Sequence, residues 1–213
     1  MPSKEGNVLN FDSFEPMAVR SGAEPFDDPA WGFEVKYDGC RVLAAVQPDR
    51  LCLRTGRGTD ATAWFPEVVQ GLRKLPASGH VLDGEMCVLD ACGRSDFGAL
   101  RNRVRRRNDR SRKPAVTYCA FDLLVYRGRD IRSRPLAERK RALAAMLANA
   151  ARSLRYVEHI VGDGRCLYAV AGQLDLEGLV AKRLASPYRC GIPSSDWLKL
   201  ALRHRRRFAK PGP

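Results

Sequence analysis

The residues with the clearest chemical potential lie in one short stretch, Lys36-Tyr37-Asp38-Gly39-Cys40-Arg41, with Glu34 two positions ahead of it. Residues 31–36 alternate as a strand does, so Glu34 and Lys36 project from the same face. Asp38-Gly39 is a strong turn signal, which brings the following Arg41 back beside that face. A lysine held near other cations has its ammonium form disfavoured, and the lone pair so released is free for nucleophilic attack. Taken singly, the stretch reads equally as a hairpin with a surface lysine, because short patterns recur by chance.

The elements that must position these residues begin with strands at 31–36, 41–46 and 50–54. A helix follows at 66–75 with Pro66 at its start, then a hairpin through Asp83-Gly84 joining 80–82 to 86–89. A helix with a dense basic face is expected at 96–107 and an apolar strand at 116–125. The clearest helix spans 136–151, rich in Ala, Leu, Arg and Lys. A strand at 155–160, a helix at 166–174, a short buried strand at 178–182 and a closing stretch at 197–202 complete the set. Residues 1–30, rich in Pro, Gly, Asp and Ser, read as a loosely ordered lead-in, 31–202 as one domain and 203–213 as a basic tail. Strands and helices mix without regular βαβ alternation, so the fold class is α+β and not a Rossmann sheet.

The charge narrows the partners. Against 24 Asp and Glu stand 37 Lys and Arg, a net +13, and such a field attracts polyanions, nucleic acid first among them. Charge alone also fits a membrane-surface or ribosome-associated protein. The seven cysteines, Cys40, Cys52, Cys87, Cys92, Cys119, Cys166 and Cys190, show no zinc spacing and sit mostly among apolar neighbours, as reduced core thiols do. His80, His159 and His204 share no spacing with a base or metal role. With no apolar signal core and no run of about 20 apolar residues, the expected home is a reducing cytoplasm with no membrane partner.

The Lys36 stretch resembles the nucleotidyl-lysine motif, K-x-D-G-x-R, of DNA ligases, RNA ligases and capping enzymes. Further stretches match that family in order: Arg54-Thr55-Gly56, Phe65-Pro66-Glu67, Asp83-Gly84-Glu85, Phe121-Asp122-Leu123-Leu124 with Gly128-Arg129-Asp130, Pro135-Leu136-Ala137-Glu138-Arg139, Glu177-Gly178-Leu179-Val180-Ala181-Lys182, and Ser195-Asp196-Trp197-Leu198-Lys199. Each is weak alone, but the ordered set runs from Trp31 to Lys199. Its wording is most similar to the adenylation domain of bacterial end-joining ligases of the ligase D type, as in Glu158-His159-Ile160.

This resemblance implies a nucleotidyltransferase (ATP-grasp-like) domain of antiparallel sheets flanked by helices, using ATP with Mg²⁺ or Mn²⁺. It also implies a bacterial cytosol, near the nucleoid. It makes Lys36 the nucleophile toward the α-phosphate of ATP. It places Glu34 at the adenine edge and Phe121 on the base, with Arg41 and Arg54 at ribose, phosphate or the nick. Glu85 falls at ribose or metal and Glu177 at the metal, a hard cation that takes oxygen ligands. Lys182 and Lys199 neutralise the α-phosphate as charge builds. Read separately, Asp83-Gly84-Glu85 is a plain turn, Phe121 a core aromatic, Glu177 and Lys182 a solvated pair, and Lys199, Arg41 and Arg54 exposed cations.

Arg101, Arg103, Arg105, Arg106 and Arg107, continued by Arg110, Arg112 and Lys113, place many cations on one helix and its loop with few acids to pair them. A nicked or broken DNA duplex suits such a face, since each neutralised phosphate releases counterions; the tail 203–207 is of the same kind. Three departures from the family are visible. The sequence stops after the fifth motif, short of the expected OB-fold domain, whose role a separate chain or end-joining proteins could supply. Ala201 stands where a second lysine is usual, and Pro193 where a basic residue is common. Each lost cation weakens handling of the phosphates, so slow self-adenylation from ATP is expected. The competing expectations are a non-catalytic DNA-end-binding remnant and an RNA ligase or capping-type nucleotidyltransferase.

Overall fold

In the computed structural model, residues 11–75, 79–106 and 114–202 are described. Two sheets face one another, and a short N-terminal strap closes one side. The first sheet contains β1 (Ala18–Ser21), β2 (Asp28–Val35), β9 (Ile160–Gly162), β10 (Gly178–Arg183) and β11 (Pro193–Ala201), in the order β1-β11-β10-β2-β9. The second contains β3 (Cys40–Val46), β4 (Leu51–Thr55), β5 (His80–Cys87), β6 (Thr117–Tyr126) and β7 (Arg129–Asp130) in the order β4-β3-β5-β6-β7, with β8 (Leu154–Tyr156) beside β6. Pairing is antiparallel except at β1–β11 and β6–β8. This is the expected α+β class, and neither sheet is an OB-fold.

Among the described residues four helices, α1 (Pro66–Arg73), α2 (Phe97–Arg105), α3 (Leu136–Leu147) and α4 (Gly164–Gln173), cover the outer faces. Alternation along the strands sorts the core into layers. On the second sheet Val42, Ala44, Leu82 and Leu123 pack outward with Val68 and Leu72 of α1 and Leu143 and Leu147 of α3. Its other face gathers Leu43, Ala45, Val81 and Leu124 with Phe14, Met17, Tyr188 and Trp197. Phe33, Leu179, Ala181 and Leu200 of the first sheet pack with Ala171 of α4.

Helix α3 buries Leu136, Arg139, Lys140, Leu143 and Leu147, the spacing of one helical face. Two of those five are cations. Arg139 meets Asp122 of β6 in a two-pronged pair, 2.8 Å on each prong, and also donates to the carbonyls of Arg134 and Ser186. With both partners fully buried, this pair fixes where α3 lies on β6, next to Phe121.

The structure differs from the sequence expectation at several points. Residues 11–30 are not a loose lead-in: Phe14 and Met17 are buried, and β1 extends the first sheet. The apolar anchors are few and far apart in a Pro- and Gly-rich stretch, which hides them from a periodicity search. The Asp38-Gly39 turn does not fold β3 back onto β2, because the two strands belong to different sheets. No hairpin forms at Asp83-Gly84; both lie inside the continuous β5. Gly84 is there because a Cβ would stand 2.7 Å from the Tyr118 ring and 2.8 Å from the Cys119 carbonyl. Close cross-strand packing, not a turn, requires the glycine. The strand expected at 155–160 is two short ones in different sheets, and 193–201 is a full strand.

Gly84→Ala is therefore expected to cost about 1–3 kcal/mol through overpacking against Tyr118, read as a lowered urea midpoint with an unchanged slope.

Candidate active site

Where the inner faces of the two sheets meet, a cavity of about 230 Å³ is lined by Glu34, Lys36, Arg41, Glu85, Phe121 and Lys182, with Trp197 beside them. Period two explains the gathering. On β10, Val180 pairs with Glu34 of β2 and with Lys199 of β11, while Lys182 pairs with Trp197. One face of the first sheet thus carries Glu34, Lys182, Trp197 and Lys199. On the second sheet Arg41 lies opposite Glu85, which lies opposite Cys119, two residues before Phe121. Lys36 stands just beyond β2, where the chain leaves one sheet for the other; its backbone N–H donates to the Gly178 carbonyl at 2.9 Å.

The Lys36 amine donates to Glu177 Oε1 at 2.5 Å, and Lys199 Nζ stands 3.6 Å from that same oxygen. One carboxylate oxygen thus holds two ammonium groups, and Glu177 Oε2 is buried with no hydrogen-bond partner. Glu85 is half-buried; loss of solvation pushes its carboxyl up to about 8, with Asp83 and Glu177 adding to that rise and the Arg41 and Lys36 cations opposing it. Two carboxylates that are under-satisfied in this way suit a hard cation such as Mg²⁺, which takes one or two protein carboxylates and completes its shell with phosphate and water. Among the described residues no cluster of three or more His, Cys, Asp and Glu side chains forms a full protein cage for a metal.

Glu34 is buried and shared by two lysines, with Lys140 Nζ at 2.5 Å from Oε1 and Lys182 Nζ at 2.6 Å from Oε2. Lys182 also stands 4.1 Å from the ring centres of both Phe121 and Trp197, a cation–π sandwich. Burial draws its ammonium down to about 8, against the pull of Glu34. Phe121 and Trp197 meet edge to face at 6.1 Å. Phe121 is thus a cleft wall, not only a core aromatic.

Arg41 grips the buried Asp83 with two prongs, at 3.0 and 2.6 Å, and the Tyr188 hydroxyl donates to the same carboxylate at 2.6 Å. Its guanidinium also lies 5.2 Å from the Phe121 ring centre. Such a pair holds the arginine in one orientation at the cavity wall.

Two expected site residues lie elsewhere. Arg54 donates to Asp12 at 3.1 Å and to the carbonyls of Phe11 and Phe14, so it pins the N-terminal strap. It lines a second cavity of about 770 Å³ with Gly56 and Arg57, and Arg41 alone of the expected cations borders both. Arg103 does not belong to the exposed basic face: it is turned inward and pairs with Glu67 of α1 at 3.3 Å. The helix has one inner side, and Arg103 falls on it three residues after the buried Leu100. Arg101, Arg105 and Arg106 are exposed as expected, whereas Arg107, Arg110, Arg112, Lys113 and the basic tail lie outside the described residues.

Four residues of the site were not anticipated from sequence: Lys140, Asp83 as the Arg41 anchor, Tyr188 and Trp197. Lys140 had a signal, for it sits on the buried face of α3 at helical spacing. Tyr188 had none. His80 is buried and accepts from the Arg127 N–H at 3.4 Å, and His159 packs beside Tyr156. All seven cysteines are free thiols, with Cys87 and Cys119 buried and Cys92 and Cys166 exposed. No helix among the described residues is long and apolar enough to cross a membrane.

A lysine amine thus sits on a carboxylate between two sheets lined by further cations, an arrangement suited to handling a nucleotide phosphate. Residues 15–200 match the family model of the ATP dependent DNA ligase domain, and the chain belongs to that family. It is 37% identical over 183 residues to the multifunctional non-homologous end joining protein LigD of Pseudomonas aeruginosa, covering 85% of this chain and 21% of that one. It is 33% identical to the SPbeta prophage-derived DNA ligase-like protein LigB of Bacillus subtilis, covering 87% of this chain and 66% of that protein. The fold matches a mycobacterial DNA ligase D complexed with ATP and MES, with a TM-score of 0.75 at 30% identity, over 91% of this chain and 62% of the other. The chain thus spans between about a fifth and two thirds of these relatives' lengths.

Between the ordinary carboxyl value of 4.5 and about 8 the folded protein holds the Glu85 proton more tightly than the unfolded chain does, so this group's contribution to stability falls as pH rises through that window. Glu85→Gln is expected to melt above the wild type at pH 8, with the gap closing toward pH 5, in scans at matched ionic strength. Arg103→Ala is expected to cost about 1–2 kcal/mol, discounted for the partial exposure of Glu67. Arg101→Ala, Arg105→Ala and Arg106→Ala should each stay within about 0.5 kcal/mol of the wild type while weakening retention on duplex DNA in low salt.

Proposed function

We propose that Lys36 becomes covalently joined to AMP from ATP and that the AMP is then passed to a 5′-phosphate at a nick or end in DNA. The observation that carries this is the Lys36 amine held on Glu177 at the mouth of the cavity between the sheets. In the first step the Lys36 ammonium gives up one proton to solvent, Nζ bonds to the α-phosphorus, the bond from that phosphorus to the bridging oxygen breaks so that pyrophosphate leaves, and the second N–H proton passes to the Glu177 carboxylate. Phe121 stacks on the base and Glu34 faces its edge. Lys182 and Lys199 stabilise negative charge as it builds on the phosphate oxygens. Arg41 is held on Asp83 where it borders both cavities, a position suited to ribose or to the phosphate at the nick. Arg54, tied to the N-terminal strap, acts on that strap and not on the nucleotide.

Glu85 and Glu177 are the residues that fit Mg²⁺ or Mn²⁺, which when bound offsets phosphate charge. The ATP held by the structurally similar mycobacterial ligase D supports the choice of nucleotide. End joining at double-strand breaks follows from similarity to the Pseudomonas aeruginosa protein. The exposed Arg101, Arg105 and Arg106 then follow the duplex backbone. Ala201 and Pro193, which carry no charge where the family commonly has a cation, make self-adenylation slow compared with sealing of a nick that already bears 5′-adenylate, and end-joining proteins are the partners that would speed it.

Incubation with α-labelled ATP and Mg²⁺ is expected to leave label on the wild type and none on Lys36→Ala, with a mass gain of one AMP. Label on neither protein, in the presence of nicked duplex and of either metal, removes the adenylation reading in favour of a DNA-end-binding role without catalysis.

A further inference from the structure

Lys140 has no place among the matched motifs and does not line the cavity. It is nevertheless almost completely buried, as is Glu34, the carboxylate it binds. Its ammonium donates to Glu34 Oε1 at 2.5 Å and to the Val157 carbonyl at 2.8 Å, and lies 4.8 Å from the Tyr156 ring centre. An ammonium removed from water must be fully partnered, and an apolar side chain in its place is often no worse for stability. Its presence on the inner face of α3 therefore asks for a reason beyond packing.

The asymmetry around Glu34 supplies one. Lys140 approaches Oε1 from behind, along directed hydrogen bonds. Lys182 approaches Oε2 at 2.6 Å from the cavity side, where its ammonium also rests on the faces of Phe121 and Trp197. One oxygen is anchored while the other, at the cavity, is held by a cation that a phosphate can draw away. We propose that Lys140 is a positioning residue which fixes Glu34 so that Oε2 accepts a hydrogen bond from the exocyclic amine of adenine, and that it thereby sets the preference for ATP over GTP. Guanine turns a carbonyl oxygen to the same point, and two acceptors facing each other repel. A carboxylate free to rotate, or pulled onto Lys182 alone, loses that discrimination. The inference rests on the reading that ATP enters this cavity.

The test compares ATP, GTP and purine riboside triphosphate, which lacks the exocyclic amine, on the wild type, Lys140→Met and Lys140→Arg. Two readouts are taken: single-turnover formation of the lysyl-nucleotide, and equilibrium binding by calorimetry, which needs no covalent step. The wild type is expected to lose roughly ten- to a hundredfold in kcat/KM when the amine is removed, as for a site built to bond a missing group. In Lys140→Met that penalty should shrink to about threefold or less, chiefly through a raised KM for ATP, and Lys140→Arg should restore most of it. A cooperative melt and unchanged circular dichroism separate this from unfolding. A wild type that takes purine riboside triphosphate as readily as ATP overturns the proposal with no variant needed, and so does a folded Lys140→Met that keeps the full penalty. Selective ATP binding that Lys140→Met abolishes, in a protein that forms no lysyl-nucleotide, upholds the role of Lys140 and sinks the catalytic reading; absence of ATP binding sinks both.

Discussion

Everything in this molecule is organised by the passage of one chain segment between two sheets. Residues 36–39 leave β2 at Lys36, whose N–H is bonded to Gly178, and enter β3 of the other sheet at Cys40. Gly39 makes the crossing possible, because any Cβ there would collide with the Met86 carbonyl and stand 2.9 Å from Glu85 Cγ. The crossing holds the nucleophilic amine at the seam, so both inner faces present their side chains to it. A lysine in the middle of either sheet would see only one.

The seam is crowded with charge, and the charge is arranged in pairs instead of being neutralised in bulk. Three carboxylates have defined cationic neighbours: Glu177 has Lys36 and Lys199, Glu34 has Lys140 and Lys182, and Asp83 has Arg41. Burying ions in this way stabilises little, since desolvation offsets most of the attraction. What it does supply is orientation. Arg41 is fixed by a two-pronged contact on Asp83, whose other contact is Tyr188, while the Tyr188 hydroxyl accepts from the Met17 N–H at 2.8 Å. The N-terminal strap, the second sheet and the cleft wall are therefore parts of one network. Glu85 and Lys182, both shifted chiefly by burial, move toward the same range from opposite directions, as expected of groups whose full satisfaction awaits a cation and an anion from outside.

The outer structure is built to keep this interior rigid. Helix α3 carries two adjacent cations inward, one onto Asp122 beside Phe121 and one onto Glu34. The backbone N–H groups of Leu136 and Ala137 at its start donate to the carbonyls of Ser186 and Leu184. A single helix thereby sets the position of the aromatic wall and of the carboxylate opposite it. The basic helix α2 is divided in role along its own turns, with Arg103 tied to Glu67 and its neighbours left facing solvent.

The sequence by itself determined the α+β class, most element boundaries and the identity of the central residues, because these rest on local properties: period-two alternation, helical spacing, and a set of short motifs whose order is more telling than any one of them. It also marked Lys36, Glu85, Glu177, Phe121, Lys182 and Lys199, and the structure gathers them around one cleft and its mouth. Tertiary structure alone decided who partners whom. That Asp38-Gly39 joins two sheets, that Gly84 packs under Tyr118, that Arg54 serves the strap and Arg103 the core, and that Lys140 and Tyr188 stand behind the cleft all depend on contacts between segments far apart in the chain. An arginine or lysine reads the same in sequence whether it faces water, phosphate or a buried carboxylate, since its long side chain and fixed charge suit all three. Only the fold fixes the dielectric around it and the counter-charge within reach.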